Sequence, residues 1–222
     1  MSTAEDFLLL TTDPATGRSA LGSSQSDAVM GGAFLIDLVA AGRLALVGQG
    51  WRARVSVVDR TPLGDPLLQG AFARVQDRKA QTPQNMVARL GRKGRQRTYD
   101  ALIAKGAVSP RQERVLGLFP VTRHDVLAVG RRDELTARVR ATLLHGQAPD
   151  AEIGPLIGLL SASSLTKVVV DKPDRALAKA RAKAVAEGDW ASEGVRKSIQ
   201  AAQGAITAAV VAASVAGGSG SS

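Results

Sequence analysis

A segment between residues 26 and 41 is almost entirely apolar, with Asp27 and Asp37 as its only charged residues. A helix that is apolar on nearly all sides is typical of the centre of a folded core. The pattern therefore predicts a central core helix over residues 26–41, which Gly42 ends. We interpret Asp37 as a hydrogen-bonded structural acid rather than a catalytic base, because perturbed acids also arise in structural networks.

Amphipathic stretches predict further helices on both sides of this core helix. The first is short, with Thr3 as its N-cap and Phe7–Leu10 as its body. The others are predicted over residues 67–78, 82–90, 96–105, 131–144, 149–161, 173–186 and 192–213. Gly91 and Gly94 separate two of these helices, and Gly106 ends the second of them.

Alternating polar and apolar positions predict β-hairpins between the helices. The clearest hairpin pairs residues 44–47 with 51–58 across Gly48-Gln49-Gly50. A second hairpin is predicted from strands at 114–121 and 126–128, with its turn at 122–125. A short pairing of residues 9–12 with 18–21 is also predicted, because turn-forming residues occupy 13–17.

These elements together predict a mainly α fold. One globular domain spans residues 1–216, with a central apolar helix, surrounding amphipathic helices and two small β-hairpins. The last six residues, 217–222, are Gly and Ser and are predicted to be a flexible tail.

Positive charge is concentrated in one part of the sequence. The 222 residues carry a net charge of +9, but residues 74–140 contain 16 Lys and Arg against 6 Asp and Glu. The rest of the chain contains 13 against 14. The densest cluster has five cations, which are Arg89, Arg92, Lys93, Arg95 and Arg97. This asymmetry predicts one cationic face that attracts anions such as nucleic acid or acidic lipid head groups.

Residues that would support catalysis or metal binding are scarce. The chain has no cysteine and only two histidines, His124 and His145, which lie far apart. It also lacks a phosphate-binding glycine loop, a zinc-protease motif and a nucleophile elbow. We therefore expect no catalytic residue, no metal ligand and no cofactor. The N-terminus lacks a basic signal-peptide region and residues 199–216 are too polar to span a bilayer, so we expect a cytoplasmic protein.

Four stretches together resemble the Golgi phosphoprotein 3 family. They are residues 5–10 (EDFLLL), 32–44 (GAFLIDLVAAGRL), 102–108 (LIAKGAV) and 116–122 (LGLFPVT). The resemblance implies a peripheral membrane protein that binds phosphatidylinositol 4-phosphate. In eukaryotes such proteins help to retain glycosyltransferases in the Golgi, which implies client membrane enzymes as partners.

The resemblance also implies site residues. Counting back from Lys105-Gly106, the R-x-x-R pair of the family falls on Arg92 and Arg95, with Arg89, Lys93 and Arg97 as a supporting basic patch. Two arginines at this spacing can share one helical face and bind a phosphate through paired hydrogen bonds. The tryptophan and the third arginine of the family fall near Gly22 and on Gly31.

A hydrophobic hairpin is the other feature that the resemblance brings to a membrane. The resemblance implies that the hairpin with Leu118 and Phe119 inserts into the bilayer or joins subunits in a homo-oligomer. The alternative is that both side chains simply pack on the core.

Our leading hypothesis is a non-enzymatic, peripherally membrane-associated protein that binds phosphoinositide or other acidic head groups. The alternative is a winged-helix-like DNA-binding protein that uses residues 89–128, with helix 96–105 for recognition and the following hairpin as a wing. The long apolar helix and the alanine-rich C-terminal half exceed what such a module needs. The bias of 21 Arg to 8 Lys suggests a GC-rich bacterial genome.

Overall fold

The computed structural model describes residues 1–48, 52–115, 118–187 and 193–218. The helices in these ranges are α1 (Thr3–Thr11), α2 (Ser23–Ala40), α3 (Pro66–Phe72), α4 (Pro83–Gly91), α5 (Gly94–Ala104), α6 (Val129–His145), α7 (Ile153–Ala162), α8 (Arg175–Glu187) and α9 (Glu193–Gly218). The strands are β1 (Leu44–Val47), β2 (Arg54–Val57), β3 (Val108–Val115) and β4 (Phe119–Val126). The predicted mainly helical single domain with two small antiparallel sheets is confirmed.

Helix α2 is the centre of the core, as its apolar pattern predicts. Side chains on several of its faces, such as Val29, Phe34 and Leu38, are fully buried. They pack against α4 and α9 and also against α1, α5 and α7. The helix ends before Gly42, whose φ of 71° is the left-handed conformation expected of a helix stop.

Helices α2 and α4 cross at a pair of glycines. A Cβ atom on Gly31 would lie 2.0 Å from the carbonyl oxygen of Val87, and one on Gly91 would lie 1.7 Å from that of Asp27. Neither position has room for a side chain. This close approach fixes α4 against the core helix.

The N-cap of α1 differs from the prediction. Ser2, not Thr3, caps the helix, because its hydroxyl accepts from the Glu5 N–H while the Glu5 carboxylate accepts from the Ser2 N–H at 2.8 Å. The backbone N–H of Thr3 donates instead to Asp37 Oδ2 at 3.0 Å, and its hydroxyl also donates to Asp37. Asp37 thus joins α2 to the start of α1, in agreement with its interpretation as a structural acid.

Two other predictions in the N-terminal half are wrong. Helix α3 was expected over residues 67–78 but ends at Phe72, and turns follow in which the buried Val75 continues the apolar spacing without a helix. The pairing of residues 9–12 with 18–21 is a single bridge between Thr12 and Ser19. A strand cannot form there because α1 continues to Thr11.

The hairpin of β1 and β2 is confirmed, with Leu44 opposite Val57 and Val47 opposite Arg54. Residues 49–51 of its connection lie outside the described residues. The second hairpin has a different register from the prediction, because β3 and β4 pair from Val108 with Val126 to Val115 with Phe119. The chain therefore reverses between Val115 and Phe119, not at 122–125. Residues 109–114 are exposed and mostly polar, so they show no hydrophobic pattern from which β3 could be predicted.

The four predicted C-terminal helices are confirmed as α6 to α9. Helix α9 packs on α2 and α7, and α8 packs on α6, α7 and α9. The break expected at Gly188-Asp189 and residues 219–222 of the tail lie outside the described residues. No helix in the part of the chain that the structure describes has the length and apolar character needed to cross a membrane.

Candidate functional site

The predicted head-group residues lie at the corner between α4 and α5. Helix α4 ends at Gly91, and Arg92 follows it with extended ψ of 118°. Lys93 has a left-handed φ of 55°, and α5 begins at Gly94. The prediction that Arg92 and Arg95 share one helical face is therefore wrong, because the backbone changes direction between them.

Arg92 lines a recess of about 600 Å³ that we call the arginine recess. Its lining includes Arg74, Arg78, Asn85, Ala88, Arg89 and Arg92. Asn85, Ala88 and Arg89 lie on the exposed face of α4, whose opposite face is buried, and Arg92 follows the helix. Arg74 and Arg78 come from the turns after α3. Arg89 Nε donates to Gln81 Oε1 at 3.0 Å, which orients its guanidinium.

Arg95 lines a different recess, of about 800 Å³, that we call the hairpin recess. It lies between α5 and β4, and its lining includes Arg95, Tyr99, Asp100, Pro120, Thr122 and His124. Arg95 Nη1 donates to the carbonyl oxygen of Leu21 at 3.2 Å. Tyr99 stacks on His124 with ring centroids 3.6 Å apart, and its hydroxyl is 2.8 Å from Thr12 Oγ1.

The hairpin recess has mixed charge. Arg123 Nε donates to Glu113 Oε2 at 2.8 Å, and this bond lowers the pKa of the Glu113 carboxyl. Burial, and then the charge of Arg95, lower the pKa of His124, so the imidazole is neutral near pH 7. Asp100 also lines this recess. The positive charge of the hairpin recess is therefore partly balanced by acidic groups, unlike that of the arginine recess.

The remaining members of the predicted basic patch separate into two kinds. Lys93 is exposed at the corner and Arg89 lines the arginine recess. Arg97 instead donates to the Leu90 carbonyl oxygen at 2.7 Å and lies over the Phe34 ring, 5.3 Å from its centroid. Burial, and then the charge of Arg74, lower the pKa of Arg97. Arg97 therefore supports the packing of the corner and lines neither recess.

The apolar tip of the second hairpin points away from the core. Leu118 is 77% exposed and Phe119 is 62% exposed, so these side chains do not pack on the core. Pro120, the next residue, lines the hairpin recess together with Arg95. Arg114 is exposed directly opposite Pro120 in the strand register. Cationic and apolar groups are therefore adjacent on this part of the surface.

The structure explains one departure from the family pattern. Gly31, where the family has an arginine, cannot carry a side chain because of the crossing of α2 and α4. Gly22 is exposed and follows Leu21, the acceptor of Arg95. Two cations that no motif in the sequence indicates, Arg74 and Arg78, lie beside Arg92. The one sequence signal for these two arginines is that the positively charged segment begins at residue 74.

Stretches that carry the resemblance also contact one another. Lys105 Nζ, from the third stretch, lies 2.6 Å from Oε1 of the buried Glu5 in the first. A family model described as Golgi phosphoprotein 3 (GPP34) matches residues 4–202 of the 222. No curated protein matches the chain significantly. The DNA-binding alternative gains no support from the family match, and the bacterial origin stays a prediction. The chain belongs to the Golgi phosphoprotein 3 family.

Proposed function

We propose that this protein is a non-enzymatic, cytoplasmic protein that attaches peripherally to membranes by binding anionic lipid head groups, phosphoinositides among them. The observation that carries the proposal is the shared lining of the hairpin recess by Arg95 and Pro120, next to the exposed Phe119. A membrane presents negative charge at its surface and apolar chains below it. The corner and the hairpin tip offer matching groups side by side.

Both kinds of group are needed for useful affinity. A cation near an anionic leaflet contributes about 1 kcal/mol. Burial of a phenylalanine side chain contributes about 1.5–3 kcal/mol. Arg92, Lys93 and Arg114 at the surface, combined with Phe119, would give reversible and salt-sensitive attachment.

Vesicle co-sedimentation tests this proposal. The Arg92→Ala/Arg95→Ala variant should bind vesicles containing phosphatidylinositol 4-phosphate or phosphatidylserine less well than the wild type. Lys179→Ala/Lys183→Ala is the matched control, because it removes the same charge from exposed positions of α8. Equal binding by the wild type and the Arg92/Arg95 variant would show that the site is assigned wrongly.

The family resemblance also suggests client membrane enzymes and self-association. If Leu118 and Phe119 join subunits rather than insert into lipid, the wild type will show a concentration-dependent mass that Leu118→Ser/Phe119→Ser abolishes. Sedimentation velocity without vesicles measures this directly. No contact among the described residues favours DNA over lipid as the anionic partner.

A further inference from the structure

The arginine recess brings together four cations from separate segments of the chain. Arg89 and Arg92 follow the exposed face of α4, and Arg74 and Arg78 come from the turns after α3. Those turns are fixed by the buried Val75, whose N–H donates to the Phe72 carbonyl oxygen at 2.9 Å. The backbone therefore holds the four side chains around one recess.

Charge in this recess is not balanced by carboxylates. None of the four arginines forms an ion pair within the described ranges, and no described carboxylate lines the recess. Asp77 lies in the same turns but outside the lining. Several arginines elsewhere are paired with carboxylates, for example Arg111 with Asp125 at 3.0 Å and Arg131 with Asp6 at 2.9 Å. Like charges around one concave surface repel each other, and a bound anion relieves this repulsion.

The shape and donors of the recess suit a phosphate group. Ala88 on the exposed face of α4 leaves room, and Asn85 adds an uncharged amide. Because Gln81 holds Nε of Arg89, the terminal nitrogens of that guanidinium remain for a ligand. Guanidinium groups bind phosphate oxygens through paired hydrogen bonds, which lysine cannot do. A volume of about 600 Å³ is sufficient for a phosphorylated head group or a small phosphate ester.

We propose that the arginine recess binds a phosphate group with two or more negative charges, and that Arg74 and Arg78 are its distinguishing ligands. The phosphate is carried either by a lipid head group or by a small soluble molecule. The lipid form rests on the proposed function, and the soluble form is independent of it.

Binding measurements with two probes separate these sources. Inorganic pyrophosphate is titrated calorimetrically into the protein, and vesicles with phosphatidylinositol 4-phosphate are compared with phosphatidylserine vesicles of equal charge. Arg74→Ala/Arg78→Ala should weaken the binding of whichever probe the wild type prefers at least tenfold, about 1.4 kcal/mol. The Lys179→Ala/Lys183→Ala control should bind like the wild type.

A second variant distinguishes a site from general attraction. Ala88→Trp fills the recess but keeps all four arginines. If anions are attracted only by the charge of the surface, this variant should bind them as the wild type does. If the phosphate binds inside the recess, the variant should lose affinity for it. Wild-type-like binding of both probes by Arg74→Ala/Arg78→Ala would overturn the inference. If vesicle binding depends on Arg95 and Phe119, and neither vesicle binding nor pyrophosphate binding depends on Arg74 and Arg78, the proposed function stands and this inference fails. If pyrophosphate binds through Arg74 and Arg78 but no vesicle binds, this inference stands and the proposed function fails.

Discussion

Arg92 and Arg95 lie three residues apart but line different recesses, because one helix ends and another begins between them. Arg92 faces Arg74, Arg78 and Arg89, whereas Arg95 lies beside the second hairpin. The left-handed backbone at Lys93 makes this separation. The R-x-x-R motif, which the sequence suggests is one phosphate-binding pair, is thus divided between two surfaces.

The first prediction follows from this separation. Arg92→Ala and Arg95→Ala should each reduce vesicle affinity, by about 1 kcal/mol per cation. Their effects should add in the double variant, since residues without shared partners rarely couple. Only Arg92→Ala should weaken pyrophosphate binding. A coupling free energy well above about 0.5 kcal/mol in vesicle affinity would instead indicate one shared phosphate.

The second prediction concerns the apolar tip. Leu118→Ser/Phe119→Ser should reduce vesicle affinity at least tenfold, because the apolar burial of both side chains is lost. The remaining binding should depend more steeply on salt, since it would be mainly electrostatic. Leu177→Ser, at a 44% exposed position of α8, is the control and should leave vesicle binding unchanged. Unaltered co-sedimentation of the tip variant would exclude insertion.

The third prediction tests the crossing of α2 and α4. Gly31→Ala should lower the free energy of unfolding by about 3 kcal/mol, because its Cβ would lie 2.0 Å from the Val87 carbonyl oxygen. Gly204→Ala in α9 has no heavy atom within 4 Å of its new Cβ and should stabilise the protein by about 0.5–1 kcal/mol. Denaturant unfolding measures both. A neutral Gly31→Ala would mean that the helices do not approach this closely.

The fourth prediction is a pH dependence that comes from Asp37. Desolvation under the start of α1 raises the pKa of Asp37 to about 7, although part of the side chain stays accessible. The hydrogen bonds from Thr3 lower the pKa but do not offset the desolvation. The folded protein then holds a proton that the unfolded chain loses near its ordinary pKa of 3.8. The contribution of Asp37 to stability is therefore full below pH 3.8 and is lost as the pH rises to about 7.

Asp37→Asn should remove this loss. The free energy of unfolding of the variant, minus that of the wild type, should increase between about pH 4 and pH 7 and stay constant above pH 7. The slope should lie below about 1.4 kcal/mol per pH unit, the limit for one proton. Urea denaturation at several pH values measures it. A difference that does not change with pH would show that Asp37 titrates normally.

Much of the fold could be predicted from the sequence, because long helices carry strong patterns. The apolar residues of α2 and the spacing of α6 to α9 suffice for this. The errors lie where tertiary contacts decide the local structure. Val75 is buried from a turn rather than a helix, and the polar residues of β3 form a strand because β4 pairs with them.

The candidate site was predictable only in part. The charge count pointed to the segment that holds the arginines of both recesses, and the resemblance implied the exposure of Leu118 and Phe119, although the turn itself was expected at residues 122–125. The grouping of Arg74 and Arg78 with Arg92 depends on how the turns after α3 lie against α4, which no short motif contains. Likewise, no sequence rule indicates that Gly31 is required by the nearby Val87 carbonyl group.

The most direct test of the central claim is whether the hairpin tip enters an anionic membrane. Since the chain has no cysteine, Phe119→Cys provides a single position for a polarity-sensitive fluorophore, and Leu177→Cys on α8 provides the control. We expect the fluorophore at 119 to report an apolar environment with anionic vesicles but not with neutral ones, and the fluorophore at 177 to report no change. Added Arg92→Ala/Arg95→Ala substitutions should weaken the signal at 119. No change at 119, or an equal change at both positions, would contradict attachment through this surface.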